Sequence, residues 1–365
     1  FTVLFVVRRD RLRVHRLAGP SEIGATVRRL TGLLEQPSLL GAPLFRDRAA
    51  EVYDLLVRPA AADLAGASTL LVSPDGPLQH LPFGVLVENA AAGASYRDLA
   101  YLARRLAVVR VPSASAAQEL ARRPRPEGHG HPALVAFGGP ALPGASARPA
   151  SQRAVFELGD GTPAPLPGAA DEARRLARLW PDSRALVGAE ATEERVKTLA
   201  EVRSARLLHF AAHGLPSERR PELSALMLAP SAGEDGLLQA WEIVELSLAS
   251  ELVVLSACRS ALGRELSGEG FLGLTQAFLE AGAGGVVASL WPVADRSTAD
   301  LMAGFYGHLA RGATPAAALA EAQRELLVRG GLDAHPSRWA PFVLVGGGPS
   351  AGPPTVDERR ACALR

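Results

Sequence analysis

A chain of 365 residues with 48% hydrophobic and 21% charged residues has the balance of a folded globular protein, long enough for one large α/β domain or two lobes. Its formal charge of +1 offers no footprint for nucleic acid or an anionic membrane, and no apolar run reaches membrane-spanning length. Two cysteines, Cys258 and Cys362, make neither a disulfide framework nor a zinc site, and a reducing cytoplasm is expected.

Phe1–Val7 reads as a first strand and is too short for a signal peptide. Position 1 is not Met, so a piece of a longer protein is expected. A second strand near 11–17, a helix around 21–35 and a helix around 48–65 lead to the strand Thr69–Ser73. The turn-rich Pro74–Phe83 follows, with Asp75-Gly76 near its start. Leu106–Val111 is another strand, stopped by Pro112. These elements form an expected first lobe, 1–121, and the Arg/Pro/Gly-rich segment 122–132 is an expected linker.

The expected second lobe, 133–345, opens with the strand Ala133–Phe137 and a Gly/Pro/Ala-rich loop to about Gly168. A helix from Ala170, a strand at Arg184–Val187 and a helix from Thr192 come next. Leu207–Gly214 and Leu252–Cys258 are apolar runs, each ending at a reactive side chain and short enough to be buried strands. A loop over 259–268 precedes a helix with Phe271, Leu274 and Phe278 at helical spacing. The strand Val286–Trp291 is closed by Pro292, and helices start near Ser297 and at Thr314-Pro315. Residues 346–365 read as a disordered tail. Strands alternating with helices imply a mainly parallel, layered sheet.

If the strands before His213 and Cys258 lie side by side and parallel, both residues emerge at the carboxyl edge, where α/β sheets build their sites. A thiol beside an imidazole can attack an amide carbonyl. An unaided thiol, with a pKa of roughly 8.5, is only slightly ionised at neutral pH, so His213 would act as base. Cys258 could also be a buried strand-end cysteine. His209, mid-strand among apolar residues, reads as a core histidine. Gly214 leaves room for a substrate backbone, and the amides of Gly214 and Cys258 could form an oxyanion hole. An extended peptide could pair with Ser289, Leu290 and Trp291. Asp295 could hold a basic substrate side chain or merely favour a helix N-terminus, and Glu269 has the same two readings. No G-x-S-x-G elbow or phosphate-binding loop is present, and His129, His131 and His335 lack metal-ligand partners at useful spacing. No metal or other cofactor is called for. The basic residues are almost all Arg, with Lys197 the one lysine, which fits GC-rich coding bias better than phosphate recognition; a bacterial source is expected.

His209–Gly214, Leu255–Cys258, Ser267–Gly270 and Ser289–Asp295 together resemble the CHAT family, caspase-like proteins related to separase and often attached to tetratricopeptide repeats. Ser73–Gly76, Leu81–Phe83, Leu166–Ala169 and His335–Phe342 support the resemblance. It implies a caspase-like three-layer α/β sandwich with a degenerate first lobe, and a Cys–His dyad that maps onto Cys258 and His213. In separase-like relatives an acid after the Leu-Trp strand helps bind a basic P1 residue, and Asp295 occupies that position. Repeats or a sensor region would lie upstream. The expected activity is endopeptidase cleavage of a specific protein partner after Arg or Lys, held off until triggered, with loops 215–224 and 259–268 as gates. The alternatives are a non-catalytic caspase-like scaffold and, behind it, another thiol hydrolase such as an amidase.

Overall fold

The computed structural model describes residues 1–347 apart from 36–40, 90–94, 124–132, 143–165, 218–219, 257–268, 292 and 294, and apart from the side chains at 269–272, 294–296. β1 (Thr2–Val7) and β2 (Leu12–Leu17) form an antiparallel hairpin. Asp63 ties the hairpin down, with His15 Nε2 at 2.9 Å, Arg13 at 3.3 Å and Arg11 at 3.7 Å. α1 (Pro20–Glu35) and α2 (Ala42–Leu56) follow. The helix expected over 48–65 starts earlier and stops at Leu56, because Pro59 has no N–H to continue an α-helix, and the chain tightens to a 3-10 turn over Arg58–Leu64.

β3 (Thr69–Val72) and β4 (Ala107–Arg110) are joined in one eight-stranded sheet by β5 (Leu134–Gly138), β6 (Arg184–Val187), β7 (Leu207–Ala211), β11 (Leu252–Leu255), β12 (Gly285–Ser289) and β13 (Phe342–Gly346). Its order is β3-β4-β13-β12-β11-β7-β5-β6. β6, β5, β7, β11 and β12 are mutually parallel, while β13 runs antiparallel to β12 and carries β4 and β3 with it. Val345 faces both Arg110 and Val286, so β3 and β4 end at the edge where the other strands begin. The Pro74–Phe83 turn that follows β3 therefore lies at the sheet edge away from His213.

Helices cover both faces, which gives three layers. α4 (Ala169–Leu176), α9 (Asp295–Ala310) and α10 (Pro315–Arg329) share one apolar core with α1 and α2. α5 (Glu193–Thr198), α6 (Ala200–Ser204), α7 (Ala240–Val244) and α8 (Glu269–Glu280) share the other. Between two such layers the central strands have no solvent face, so their sequences are continuous apolar runs and not alternating ones. α3 (Ala114–Arg122) is started by Ser113, whose hydroxyl accepts from Ala116 N–H, and α10 by Thr314, which accepts from Ala317 N–H ahead of Pro315. The strand β13 and the short α11 (Pro336–Trp339) before it are absent from the sequence-based expectation, and Gly346, expected to begin the tail, is the last residue of β13.

Gly138 sets how closely α4 packs. A Cβ there would lie 2.4 Å from Ala169 O and 2.6 Å from Ala173 Cβ. Gly138→Ala must push α4 off the sheet, and overpacking of this kind costs about 1–3 kcal/mol. The expected result is a lower urea midpoint with an unchanged slope; an unchanged midpoint would show that α4 can yield without loss.

Candidate active site

β7 and β11 are adjacent and parallel, with Val254 opposite His209 and Leu255 opposite Phe210. Ser256 N–H extends the pairing by donating to Phe210 O at 2.9 Å. The two segments expected to carry the dyad thus leave the sheet at one edge. Cys258 itself lies outside the described residues, as does the 259–268 loop. Glu269 and Asp295 are the first residues of α8 and α9, and their side chains are likewise outside what is described.

His213 follows β7 and is 1% exposed. Its carbonyl accepts from Met227 N–H at 2.8 Å. Gly214 is buried too and begins β8 (Gly214–Leu215), which pairs with β9 (Ala225–Met227), which pairs with β10 (Leu237–Gln239). This small antiparallel sheet was not expected from sequence. It converts both ends of the expected loop 215–224 into ordered structure: Leu215 is in β8, and Ser224 Oγ accepts from the buried Ser217 N–H at 3.0 Å.

Ser289 faces Phe342 across β12 and β13, and Leu290 N–H donates to Pro341 O at 3.0 Å. The strand ends at Ser289, two residues before the expected end, because Ser289 Oγ donates to Trp291 O at 2.5 Å and turns the chain. Trp291 is 6% exposed, and its indole N–H donates to Ser337 O at 3.3 Å. One main-chain donor of the segment expected to pair with a peptide is therefore spent within the protein.

His209 is fully buried, as its place among apolar residues implied. Its Nδ1 is 2.9 Å from Tyr306 Oη, and its Nε2 is 3.1 Å from Glu172 Oε1, at ion-pair distance though off hydrogen-bond alignment. Burial, and after it the charge of Glu172, push the Tyr306 hydroxyl well above the usual phenol range. Ser256 Oγ donates to the same Glu172 Oε1 at 2.5 Å. Glu172 and Tyr306 carry no motif signal, whereas Ser256 lies within the Leu255–Cys258 motif and ends an apolar strand on the same parity as Val254. His335 caps α11, and burial, then Arg338, lower its pKa.

Three carboxylates, Glu193, Glu234 and Glu242, converge closely enough to hold a metal ion. The centre of that set already holds a cation: Lys197 Nζ sits 2.6, 2.7 and 2.6 Å from Glu193, Glu234 and Glu242. Among the described residues no helix is long and apolar enough to cross a membrane.

The sequence profile of the CHAT domain matches residues 46–347. The chain belongs to the CHAT family. Tetratricopeptide repeat protein 28 of Homo sapiens is 28% identical over 340 residues, covering 81% of this CHAT chain and 13% of its own length. The Mus musculus protein of the same name is also 28% identical, over 345 residues. The chain thus spans a small part of the curated relatives it matches. Among solved structures, the Arg-specific cysteine proteinase gingipain R is similar with a TM-score of 0.45 and 10% identity, over 89% of this chain and 74% of that one. The Saccharomyces cerevisiae separase–securin complex is similar with a TM-score of 0.45 and 12% identity, over 91% of this chain and 23% of that one.

Proposed function

We propose that this CHAT domain is a cysteine endopeptidase that cleaves a protein partner after Arg or Lys. The observation that carries the reading is the parallel register of β7 and β11, which sends the His213 and Cys258 segments off one sheet edge. In this reading Cys258 attacks the scissile carbonyl and His213 takes the thiol proton, then returns it to the leaving amine. A thioester acyl-enzyme results, and water hydrolyses it. The amides of Gly214 and Cys258 steady the oxyanion, and Ser289 to Trp291 guide the substrate backbone. Asp295 and Glu269, each opening a helix at this edge, receive the basic side chain. The reaction calls on no cofactor.

The 1% exposure of His213 supports an enzyme kept closed until a substrate peptide or a partner shifts its cover. Repeats like those named in the human relative, carried elsewhere in a longer protein, are proposed as that partner or sensor, and a reducing bacterial cytoplasm as the setting. The lobes 1–121 and 133–345 keep their proposed roles as degenerate and catalytic halves around the 122–132 linker. The same burial favours the second reading, a non-catalytic interaction module.

Fluorogenic peptides differing only at P1 test the specificity. Asp295→Asn is expected to lower kcat/KM for Arg and Lys peptides by about 10²-fold, the scale of a lost charge-assisted contact, with neutral P1 peptides little changed. Equal losses for every P1 would remove Asp295 from the specificity site.

A further inference from the structure

We infer that Glu172 is a positioning residue, a single carboxylate oxygen that fixes the strand end before Cys258 against the strand that leads to His213. The inference rests on the endopeptidase reading for its catalytic consequence, though not for its geometry. Glu172 Oε1 accepts from Ser256 Oγ at 2.5 Å and lies 3.1 Å from His209 Nε2. Tyr306 closes the far side of the imidazole at 2.9 Å. Ser256 is two residues ahead of Cys258, His209 is four ahead of His213, and Tyr306 belongs to α9, which Asp295 begins. One buried cluster thus joins the three elements that carry the nucleophile, the base and the specificity acid.

The chemistry of the cluster is self-consistent. A carboxylate only accepts, so Ser256 must donate to it, while His209 Nε2 lies on that side at ion-pair distance and off hydrogen-bond alignment. On the other side Nδ1 meets the Tyr306 hydroxyl at 2.9 Å, and burial keeps that hydroxyl protonated and able to donate. Ser256 is 5%, Glu172 6% and His209 0% exposed. Apolar side chains would fill this space without the cost of desolvating a carboxylate, so the group is not there for packing alone. Its anchor is fixed as well, since α4 sits against Gly138 with no room for a Cβ. Ser256 is held twice, by its amide to Phe210 and by its hydroxyl to Glu172. That leaves Ser256 little freedom to drift from β7.

The test compares Glu172→Ala, Glu172→Gln and Ser256→Ala in a Cys362→Ser background. Hydrogen exchange, followed by mass spectrometry, reads the pin directly. Glu172→Ala is expected to speed exchange by about tenfold or more in peptides covering 207–214 and 252–258, with little change in β5 and β6; Glu172→Gln, which keeps an acceptor oxygen, restores most of the protection. Unchanged exchange at the two strand ends, or a uniform rise across the sheet, overturns the proposal. Inactivation by a peptidyl-arginyl chloromethyl ketone reads the catalytic consequence. The limiting inactivation rate constant should fall about tenfold in Glu172→Ala and in Ser256→Ala, with the half-saturating concentration within about twofold of wild type. A fall confined to half-saturation would make Glu172 a binding residue and overturn the positioning role. Wild-type protein that never reacts at Cys258 would sink the endopeptidase reading alone, since the exchange experiment decides the pin without it.

Discussion

Cys258→Ala is expected to abolish peptide cleavage, and His213→Ala to lower kcat by at least about 10³-fold with KM little changed. Members of a nucleophile–base unit act together, so loss of either removes most of what both supply. The thiol is the reacting atom and alanine has no substitute for it. Without the imidazole, the thiolate fraction falls toward that of a free thiol, a few per cent at neutral pH, and the leaving amine loses its proton donor. The asymmetry between the two variants is informative. His213→Ala should retain slow acylation by an activated ester, whose leaving group needs no proton, while Cys258→Ala should retain none. His209→Ala must differ from both, because His209 is enclosed by Glu172 and Tyr306 and touches no reacting atom in this account. If His213→Ala cleaves amides at the wild-type rate, His213 is not the base.

The largest expected effect on stability lies away from this edge. Lys197 bonds three carboxylates at once, and the Glu193 side chain is 1% exposed. Lys197→Met would strip the shared cation from three clustered carboxylates, one of them buried, and breaking such a pairing costs about 3–5 kcal/mol. Lys197→Arg should also lose stability, because a planar fork cannot aim three donors from one point as an ammonium does. Equilibrium urea unfolding checks both, and a methionine variant within about 1 kcal/mol of wild type would show that the carboxylates are solvated after all. The pH dependence adds a sign. Burial first, then the charge of Glu242, push Glu193 from 4.5 up to about 7, against the hydrogen bonds from Lys197 and Gly236. The folded protein then holds a proton that the unfolded chain has released between those two values. Glu193 therefore favours folding more as pH falls through that window and less as pH rises. Glu234 has the opposite sign, since Lys197 lowers its pKa. Glu193→Gln removes the first effect, so its stability relative to wild type should climb from pH 4.5 to 7. A flat or falling difference would contradict the shift.

Both results bear on what the sequence makes visible. β7 and β11 are legible because a strand covered on both faces must be apolar throughout, and Leu207–Ala211 and Leu252–Leu255 are. Their parallel pairing follows from the alternation of strands and helices. β13 is not legible in the same way: its antiparallel insertion between β12 and β4 depends on where α11 delivers the chain. Nor is the β8–β9–β10 sheet, whose two- and three-residue strands are shorter than any periodicity can mark. Glu172 reads as surface because Asp171, Arg174 and Arg175 surround it in sequence. It is buried because Gly138 lets α4 settle directly on the sheet. The Glu193–Lys197 pair has visible helical spacing, but Glu234 and Glu242 reach it only through the fold.

The central claim, that His213 makes Cys258 a nucleophile for peptides with a basic P1 residue, is tested most directly by site-resolved labelling. Wild-type and His213→Ala protein would be treated with a peptidyl-arginyl acyloxymethyl ketone and the modified cysteine identified by peptide mass spectrometry. The account predicts one label per chain, at Cys258 and not Cys362, and its near-complete loss in His213→Ala. Equal labelling of both cysteines, or labelling of Cys258 that does not depend on His213, would contradict it.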